Sequence, residues 1–125
     1  MPGDYSRSDR LATQIQRELA QLIRDELKDP RIVNPSILDV QVTRDLSQAK
    51  VYFSVLDEAD AEPTRQGLNA AAGFLQRQLG RLIKARNTPK LRFYFDDTDI
   101  RGRRMDELID AVVAKDRQRS GEDQD

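Results

Sequence analysis

Apolar residues recur at helical spacing in three stretches of the chain, and each stretch predicts an amphipathic helix. The first helix is expected to begin after a capping serine, Ser6 or Ser8, and to end before Pro30, since proline disfavours a helical residue before it. The apolar positions are Leu11, Ile15, Leu19, Leu22, Ile23 and Leu27 in the first stretch, Leu68, Ala72, Leu75, Leu79, Leu82 and Ile83 in the second, and Met105, Leu108, Ile109, Val112 and Val113 in the third.

Three shorter stretches alternate apolar and polar residues, as strands with one buried face do. A short polar loop at 44–48 joins the first two, which predicts an antiparallel hairpin. The inward positions are Leu38, Val40 and Val42, then Ala49, Val51, Phe53 and Val55, then Leu91, Phe93 and Phe95. The order helix, strand, strand, helix, strand, helix predicts an α+β fold in which helices pack on one face of a three-stranded sheet.

The second helix contains Gly73, and a glycine in a helix interior costs about 1 kcal/mol relative to alanine. We therefore expect this helix, which should run to Arg86, to be interrupted near its middle. From Thr64 to Arg92 the chain has seven lysines and arginines and neither Asp nor Glu. The interrupted helix is thus followed by a strongly basic stretch.

Composition narrows the possible chemistry. The 125 residues are expected to form one domain. They include neither cysteine nor histidine, which excludes cysteine nucleophiles, imidazole catalysis and ordinary zinc sites. Carboxylate chemistry, lysine chemistry or no catalysis remain. The sequence shows neither a long apolar run nor a secretory signal pattern, so we expect a cytoplasmic protein.

The net charge of −1 conceals an uneven distribution of charge along the chain. Between Arg65 and Arg104 there are ten lysines and arginines against three aspartates, whereas the rest has eleven basic against nineteen acidic residues. Such segregation favours contact with a polyanion. The alternative is that these charges only solvate helix surfaces.

The ordered set of short motifs resembles the ribosome-binding factor A family, a family of bacterial assembly factors of the small ribosomal subunit. The resemblance extends from Arg7 to about Val113. The motifs are Arg7 and Arg10 ahead of IQRELAQLIRDEL, Asp29-Pro30-Arg31, Thr43-Arg44-Asp45-Leu46, Ala49-Lys50-Val51-Tyr52, Ala71-Ala72-Gly73-Phe74-Leu75 and PKLRFYFDDTDIRGRRMDELI. One departure is Gln76, where many relatives have a basic residue.

The resemblance implies a type II KH-like domain spanning residues 7–114. On either side of it, the residues themselves predict a flexible start at 1–6, where Pro2 and Gly3 disfavour regular structure, and a disordered polar tail at 115–125. The resemblance also implies that Ala71, Ala72 and Gly73 form a kink in place of the GXXG loop with which KH domains clamp single-stranded nucleic acid. The implied function is non-enzymatic binding of the immature 30S subunit as a monomer without cofactor or metal. The factor would assist 16S rRNA maturation and 5′-end processing, near the subunit's neck, and would support growth in the cold.

An RNA surface is recognised largely through its phosphates, which requires lysines and arginines on rigid elements. Arg31 can equally hold its own turn by pairing with Asp29. Tyr5, Tyr52 and Tyr94 can stack on bases, but the latter two can also simply pack on the surface of the sheet. The candidate RNA-binding residues are Arg7, Arg10, Arg31, Arg77, Arg81, Lys84, Arg86, Lys90, Arg92, Arg101, Arg103 and Arg104.

Two other functions remain open on the sequence. Asp96, Asp97 and Asp99 form an acidic cluster of the kind that can hold Mg²⁺ for phosphoryl transfer, although aspartates in a turn more commonly accept backbone N–H groups. A protein-binding module would instead present an acidic face to basic ribosomal proteins. That face includes Asp57, Glu58, Asp60 and Glu62.

Overall fold

The computed structural model of the protein describes residues 6–83, 87–98 and 101–102. The elements are α1 (Arg7–Glu26), β1 (Ser36–Val42), β2 (Gln48–Ser54), a short 3₁₀ turn (Glu58–Asp60), α2 (Ala61–Ala70), α3 (Ala72–Ile83) and β3 (Lys90–Phe95). The α+β prediction is confirmed. The predicted last helix and the predicted tail lie outside the described residues. Within the described residues, no helix is both long and apolar enough to cross a membrane.

Ser6 begins α1 through a reciprocal capping box. Its side chain accepts a hydrogen bond from the Asp9 N–H, and the Asp9 carboxylate accepts one from the Ser6 N–H, both at 3.2 Å. Each bond satisfies a donor that the first helical turn leaves unpaired. The helix ends at Glu26 because Leu27 is extended, which confirms the predicted end before Pro30.

The sheet has the order β1-β2-β3, with β2 in the centre. β1 and β2 pair antiparallel, as predicted for a hairpin, whereas β3 runs parallel to β2. The interrupted helix α2–α3 makes the crossover that a parallel pair requires. Ile15, Leu19, Leu75, Phe53 and Phe93, from both helices and strands, are at most 1% exposed and form the centre of the core.

Two apolar side chains do not take the buried positions predicted for them. Leu38 is 37% exposed because β1 contains a bulge, where the pairing passes from Ile37 opposite Phe53 to Asp39 opposite Tyr52. The extra residue shifts the alternation, so that Ile37 packs against the core in place of Leu38. Leu82, near the end of α3, is 49% exposed.

The loop that follows α1 is fixed onto α2. The Thr64 hydroxyl is fully buried; it donates to the Arg31 carbonyl and accepts from the Val33 N–H, both at 3.2 Å. At Gly67 an added Cβ would lie 2.6 Å from Ile32 Cγ1. The close approach of this loop to α2 therefore requires glycine at position 67.

Side-chain amides form hydrogen bonds with backbone groups along both edges of the sheet. On the β3 edge, Asn69 accepts from the Phe93 N–H at 2.9 Å and donates to the Phe93 carbonyl at 3.1 Å. Beside the bulge in β1, Gln16 donates to the carbonyls of Ile37 and Leu38 at 3.4 and 3.2 Å. These contacts hold α1 and α2 in a fixed position against the sheet.

Candidate nucleic-acid interface

The break between α2 and α3 lies at Ala71. This residue has φ −90° and ψ 0°, and its N–H is shared between the carbonyls of Gly67 and Leu68, both at 3.1 Å. Gly73 was expected to absorb the bend, but it lies within α3, has no positive φ, and a Cβ added there would meet only Arg77 Nη1 at 3.8 Å. The interruption therefore lies at Ala71, and Gly73 follows it without a positive φ or a close packing contact.

Beyond this break, Arg77 and Arg81 lie one turn apart on the exposed side of α3. The opposite side carries Leu75 and Leu79, which are fully buried and fix the helix on the core. Neither arginine has an ion-pair partner among residues 6–83, 87–98 and 101–102. Lys84 and Arg86, predicted to extend this basic surface, lie outside the described residues.

Gln76 lies on a different side of α3 from these arginines. Its amide donates to the Thr88 carbonyl at 2.9 Å and thereby holds the segment that leads into β3. Gln76, at a position where many relatives have a basic residue, thus has a structural role, since the side chain at this position faces the chain's own backbone.

Arg7 and Arg10 are exposed in the first turns of α1. In the part of the chain that the structure describes, neither makes an ion pair. They form a second group of cations without an ion-pair partner among the described residues, on a different element from Arg77 and Arg81.

Two other candidates are neutralised by their neighbours. Arg31 forms a two-pronged ion pair with Asp29, with Nη2 2.7 Å from Oδ2, and this hydrogen bonding lowers the pKa of Asp29 and raises the pKa of Arg31. Arg101 Nε lies 2.9 Å from Asp97 Oδ1. Arg31 therefore holds its own turn by pairing with Asp29, as the alternative interpretation of this residue predicted. Arg103 and Arg104 lie outside the described residues.

Lys90 and Arg92 lie on the face of the sheet that points away from the helices. The register places Lys50, on β2, directly beside Arg92, so that three cations share this face. Lys50 was absent from the sequence-based set of candidates. The alternation of Lys50 and Tyr52 with buried Val51 and Phe53 already indicated that it points outward.

The acidic turn after β3 is occupied by local contacts. Asp96 accepts hydrogen bonds from the Thr98 hydroxyl and N–H, at 2.5 and 2.9 Å, and these bonds lower the pKa of Asp96. Asp97 pairs with Arg101 as described above. Asp99 lies outside the described residues, among which there is no cluster of three carboxylates that could hold a metal ion.

The acidic face is also partly committed to internal contacts. Asp57 accepts from the Ala59 N–H at 3.1 Å and caps the 3₁₀ turn. Glu62 binds Arg65 through two hydrogen bonds, which lower the pKa of Glu62. Asp57 thus stabilises the 3₁₀ turn, and Glu62 stabilises the first turn of α2.

Comparison with known proteins places the chain in one family. The family model described as ribosome-binding factor A matches residues 7–109. A relative of that name from Thioalkalivibrio sulfidiphilus is 51% identical over 124 residues, which cover 98% of this chain and 96% of the relative. Another, from Chromobacterium violaceum, is 48% identical over 118 residues, covering 94% and 86% respectively.

Solved structures agree with this assignment. The crystal structure of ribosome-binding factor A from Thermus thermophilus matches with a TM-score of 0.64 and 30% identity over 70% of this chain and 93% of that one. A homology model of the Thermus protein, fitted into a cryo-EM map of its complex with the 30S subunit, matches with a TM-score of 0.59 and 29% identity, over 68% and 90%. These neighbours have a KH-like fold, which confirms the fold predicted above. From its sequence and its fold alike, the chain belongs to the ribosome-binding factor A family.

Proposed function

We propose that this protein binds the immature small ribosomal subunit and assists maturation of its 16S rRNA, including processing of the 5′ end, without catalysing a reaction. Support comes from the family membership and from the related Thermus protein, which was fitted into a map of a 30S complex. Importance for growth in the cold is part of the same proposal. The partners are the 16S rRNA and, beside it, ribosomal proteins.

The observation that carries the proposal is the exposed arginine pair on α3. Arg77 and Arg81 project from a helix fixed by two fully buried leucines, and neither is neutralised by a described neighbour. Guanidinium groups held in this way suit bidentate contacts with phosphate oxygens. A rigid basic helix can thus recognise the backbone of folded RNA without the KH-type loop.

Such a factor acts by preferring one conformation of its RNA. A ligand shifts a conformational equilibrium only by the difference between its affinities for the two states. We therefore expect the protein to bind immature small subunits more tightly than mature ones. Release then follows when the subunit reaches the conformation that the protein binds less well.

Sedimentation with purified particles tests this preference. We expect the protein to co-sediment with immature small subunits at low salt, and much less with mature subunits or whole ribosomes. Added salt should weaken the association, because each phosphate contact releases counterions. Equal binding to immature and mature particles would contradict the proposal.

Charge reversal on α3 tests the surface. Arg77→Glu with Arg81→Glu should lower the affinity for immature subunits at least tenfold and reduce the salt dependence, since phosphate contacts are removed. The matched control is Arg17→Glu with Arg24→Glu, which makes the same charge change at two exposed positions of α1. An equal loss in both double variants would show that net charge matters and not this helix.

The non-catalytic part of the proposal is tested with the purified protein alone. Precursor 16S rRNA incubated with it and Mg²⁺ should remain uncut, whereas cells that lack the protein should accumulate precursor, most strongly in the cold. Cleavage by the pure protein that is lost in Asp97→Asn would instead establish the enzyme.

A further inference from the structure

The sheet has one face without a covering element among the described residues. Val51, Phe53 and Phe93 point into the core, so the residues that alternate with them point away from the helices. On this open face the register sets Tyr52 beside Tyr94. Asp39 of β1 lies on the other side of Tyr52.

The two tyrosines form a stacked pair. Their ring centroids are 5.6 Å apart and the ring planes are inclined by 28°. Both side chains are partly exposed, so the pair presents aromatic surface to solvent. Because β3 is an edge strand, Tyr94 ends the aromatic row at the rim of the sheet.

Three cations lie on the same face of the sheet as this pair. Lys50 and Arg92 lie directly opposite each other on neighbouring strands, an arrangement that like charges disfavour. Lys90 follows at the next outward position of β3, and Arg92 Cζ lies 6.0 Å from the centre of the Tyr94 ring. In the described segments none of the three makes an ion pair, in contrast to Arg31, which is paired with its neighbouring aspartate.

Aromatic rings set among unpaired cations match the chemistry of single-stranded nucleic acid. Bases stack on the rings, and the phosphates between them are attracted by lysine and arginine. A duplex cannot offer its bases in this way, and an acidic peptide would use the cations but not the rings. The stacked pair therefore favours an unpaired RNA segment as the occupant.

We propose that the open face of the sheet binds a single-stranded RNA segment, with a base stacked on the Tyr52–Tyr94 pair and phosphates on Lys50, Lys90 and Arg92. This inference rests on the proposed function, because that function makes the 16S rRNA of the immature small subunit the source of the segment. It adds a surface that differs from the α3 arginines in position and in mode of recognition.

Tyrosine fluorescence reports this contact directly. The protein has no tryptophan and three tyrosines, so in a Tyr5→Phe variant all tyrosine emission comes from the proposed site. A mixed-sequence RNA decamer should quench this emission on binding, after correction for absorbance, and the same strand without bases should quench it far less. Unchanged emission at a concentration that saturates binding would overturn the proposal.

Affinities of variants for the same decamer separate stacking from charge. Tyr52→Ala with Tyr94→Ala should weaken binding of the decamer about tenfold or more relative to the wild type. Tyr52→Phe with Tyr94→Phe should keep an affinity close to that of the wild type, because phenylalanine keeps the ring. Lys50→Gln with Arg92→Gln should reduce the dependence of the affinity on salt. Equal affinity of the alanine and phenylalanine variants, each checked for a native melting curve, would refute the stacking.

Association with small subunits, measured on the same variants, separates the two proposals. If the protein binds subunits but the decamer does not touch the tyrosines, the sheet face fails and the proposed function stands. If the decamer binds as expected but subunits are not bound, the proposed function fails. Tighter binding of an acidic peptide than of the decamer would identify the face as a protein-binding surface and reject the RNA proposal.

Discussion

Gly67 in α2 and Gly73 in α3 have different surroundings, and substitution should separate their roles. Alanine at position 67 would place its Cβ 2.6 Å from Ile32 Cγ1, in the middle of a side chain that cannot easily move aside. Alanine at position 73 would enter open space, with its nearest neighbour a flexible guanidinium nitrogen at 3.8 Å. The first glycine is required by packing, and the second is not.

We therefore expect Gly67→Ala to lower the free energy of unfolding by about 1–3 kcal/mol, as overpacking does. Gly73→Ala should raise it by about 0.5–1 kcal/mol, because alanine loses less backbone entropy in a helix. Urea titration of both variants measures the two effects. A destabilised Gly73→Ala variant would show that the interruption does need glycine.

Asp45 organises the hairpin loop and makes the stability of this loop depend on pH. Its carboxylate accepts hydrogen bonds from the hydroxyls of Thr43 and Ser47, both at 2.7 Å, and from the Ser47 N–H at 3.1 Å. These bonds lower the pKa of Asp45 from 3.8 to about 2. They also hold the loop in which Leu46 takes a φ of 63°, a conformation that costs a leucine energy.

Because the pKa is lowered on folding, the ionised carboxylate stabilises the fold above about pH 4, and this contribution is lost as the pH falls toward 2. Asp45→Asn should therefore be less stable than the wild type at pH 7 and should approach it near pH 2. Thermal melting across this range compares the two. A difference that is the same at both pH values would contradict the role of the charge.

At the level of elements, Asn69 joins α2 to the outer edge of β3. Its amide makes both of the hydrogen bonds that a neighbouring strand would make to Phe93. Removal of the amide leaves a partly buried backbone donor and acceptor without partners, which is more costly than the loss of an exposed bond. The edge would also become available to a strand from another molecule.

Asn69→Ala should lower the free energy of unfolding by about 1–3 kcal/mol and promote self-association at high protein concentration. Gln66→Ala, at an exposed position of the same helix, should change it by less than about 0.5 kcal/mol. Denaturation and sedimentation velocity measure the two consequences. Equal stabilities of the two variants would show that the contact with Phe93 contributes little.

The elements themselves could be predicted because their signals are local. Helical periodicity and strand alternation give α1, the hairpin and β3 within a few residues of their observed bounds. The bulge at Leu38 and the exposure of Leu82 could not be predicted, since both depend on what packs against the element. The parallel direction of β3 likewise depends on the crossover and leaves no local signal.

For the whole molecule, the charge pattern predicted a basic surface, but only the structure shows which cations are available. The sequence places a carboxylate close to Arg31 and to Arg101 but does not show whether it pairs with them, and in the structure both pairs form. Arg77 and Arg81 lie in a stretch that has neither Asp nor Glu. The face of the sheet that joins Lys50 to Arg92 also depends on strand register. Long-range pairing, more than composition, therefore decides which residues form a surface.

The parallel pairing of β2 with β3 also has a consequence for the order of folding. The β1–β2 hairpin closes across a few residues, whereas β3 can pair only after α2 and α3 have crossed over the sheet. Non-local contacts of this kind form late, because the entropy of closing the long segment must be lost first. Since Gln76 and Asn69 tie the helices to β3 and the segment before it, we expect Arg77 and Arg81 to reach their final positions only in the last step of folding. A chain still emerging from the ribosome would thus complete its basic helix surface only once β3 has been synthesised.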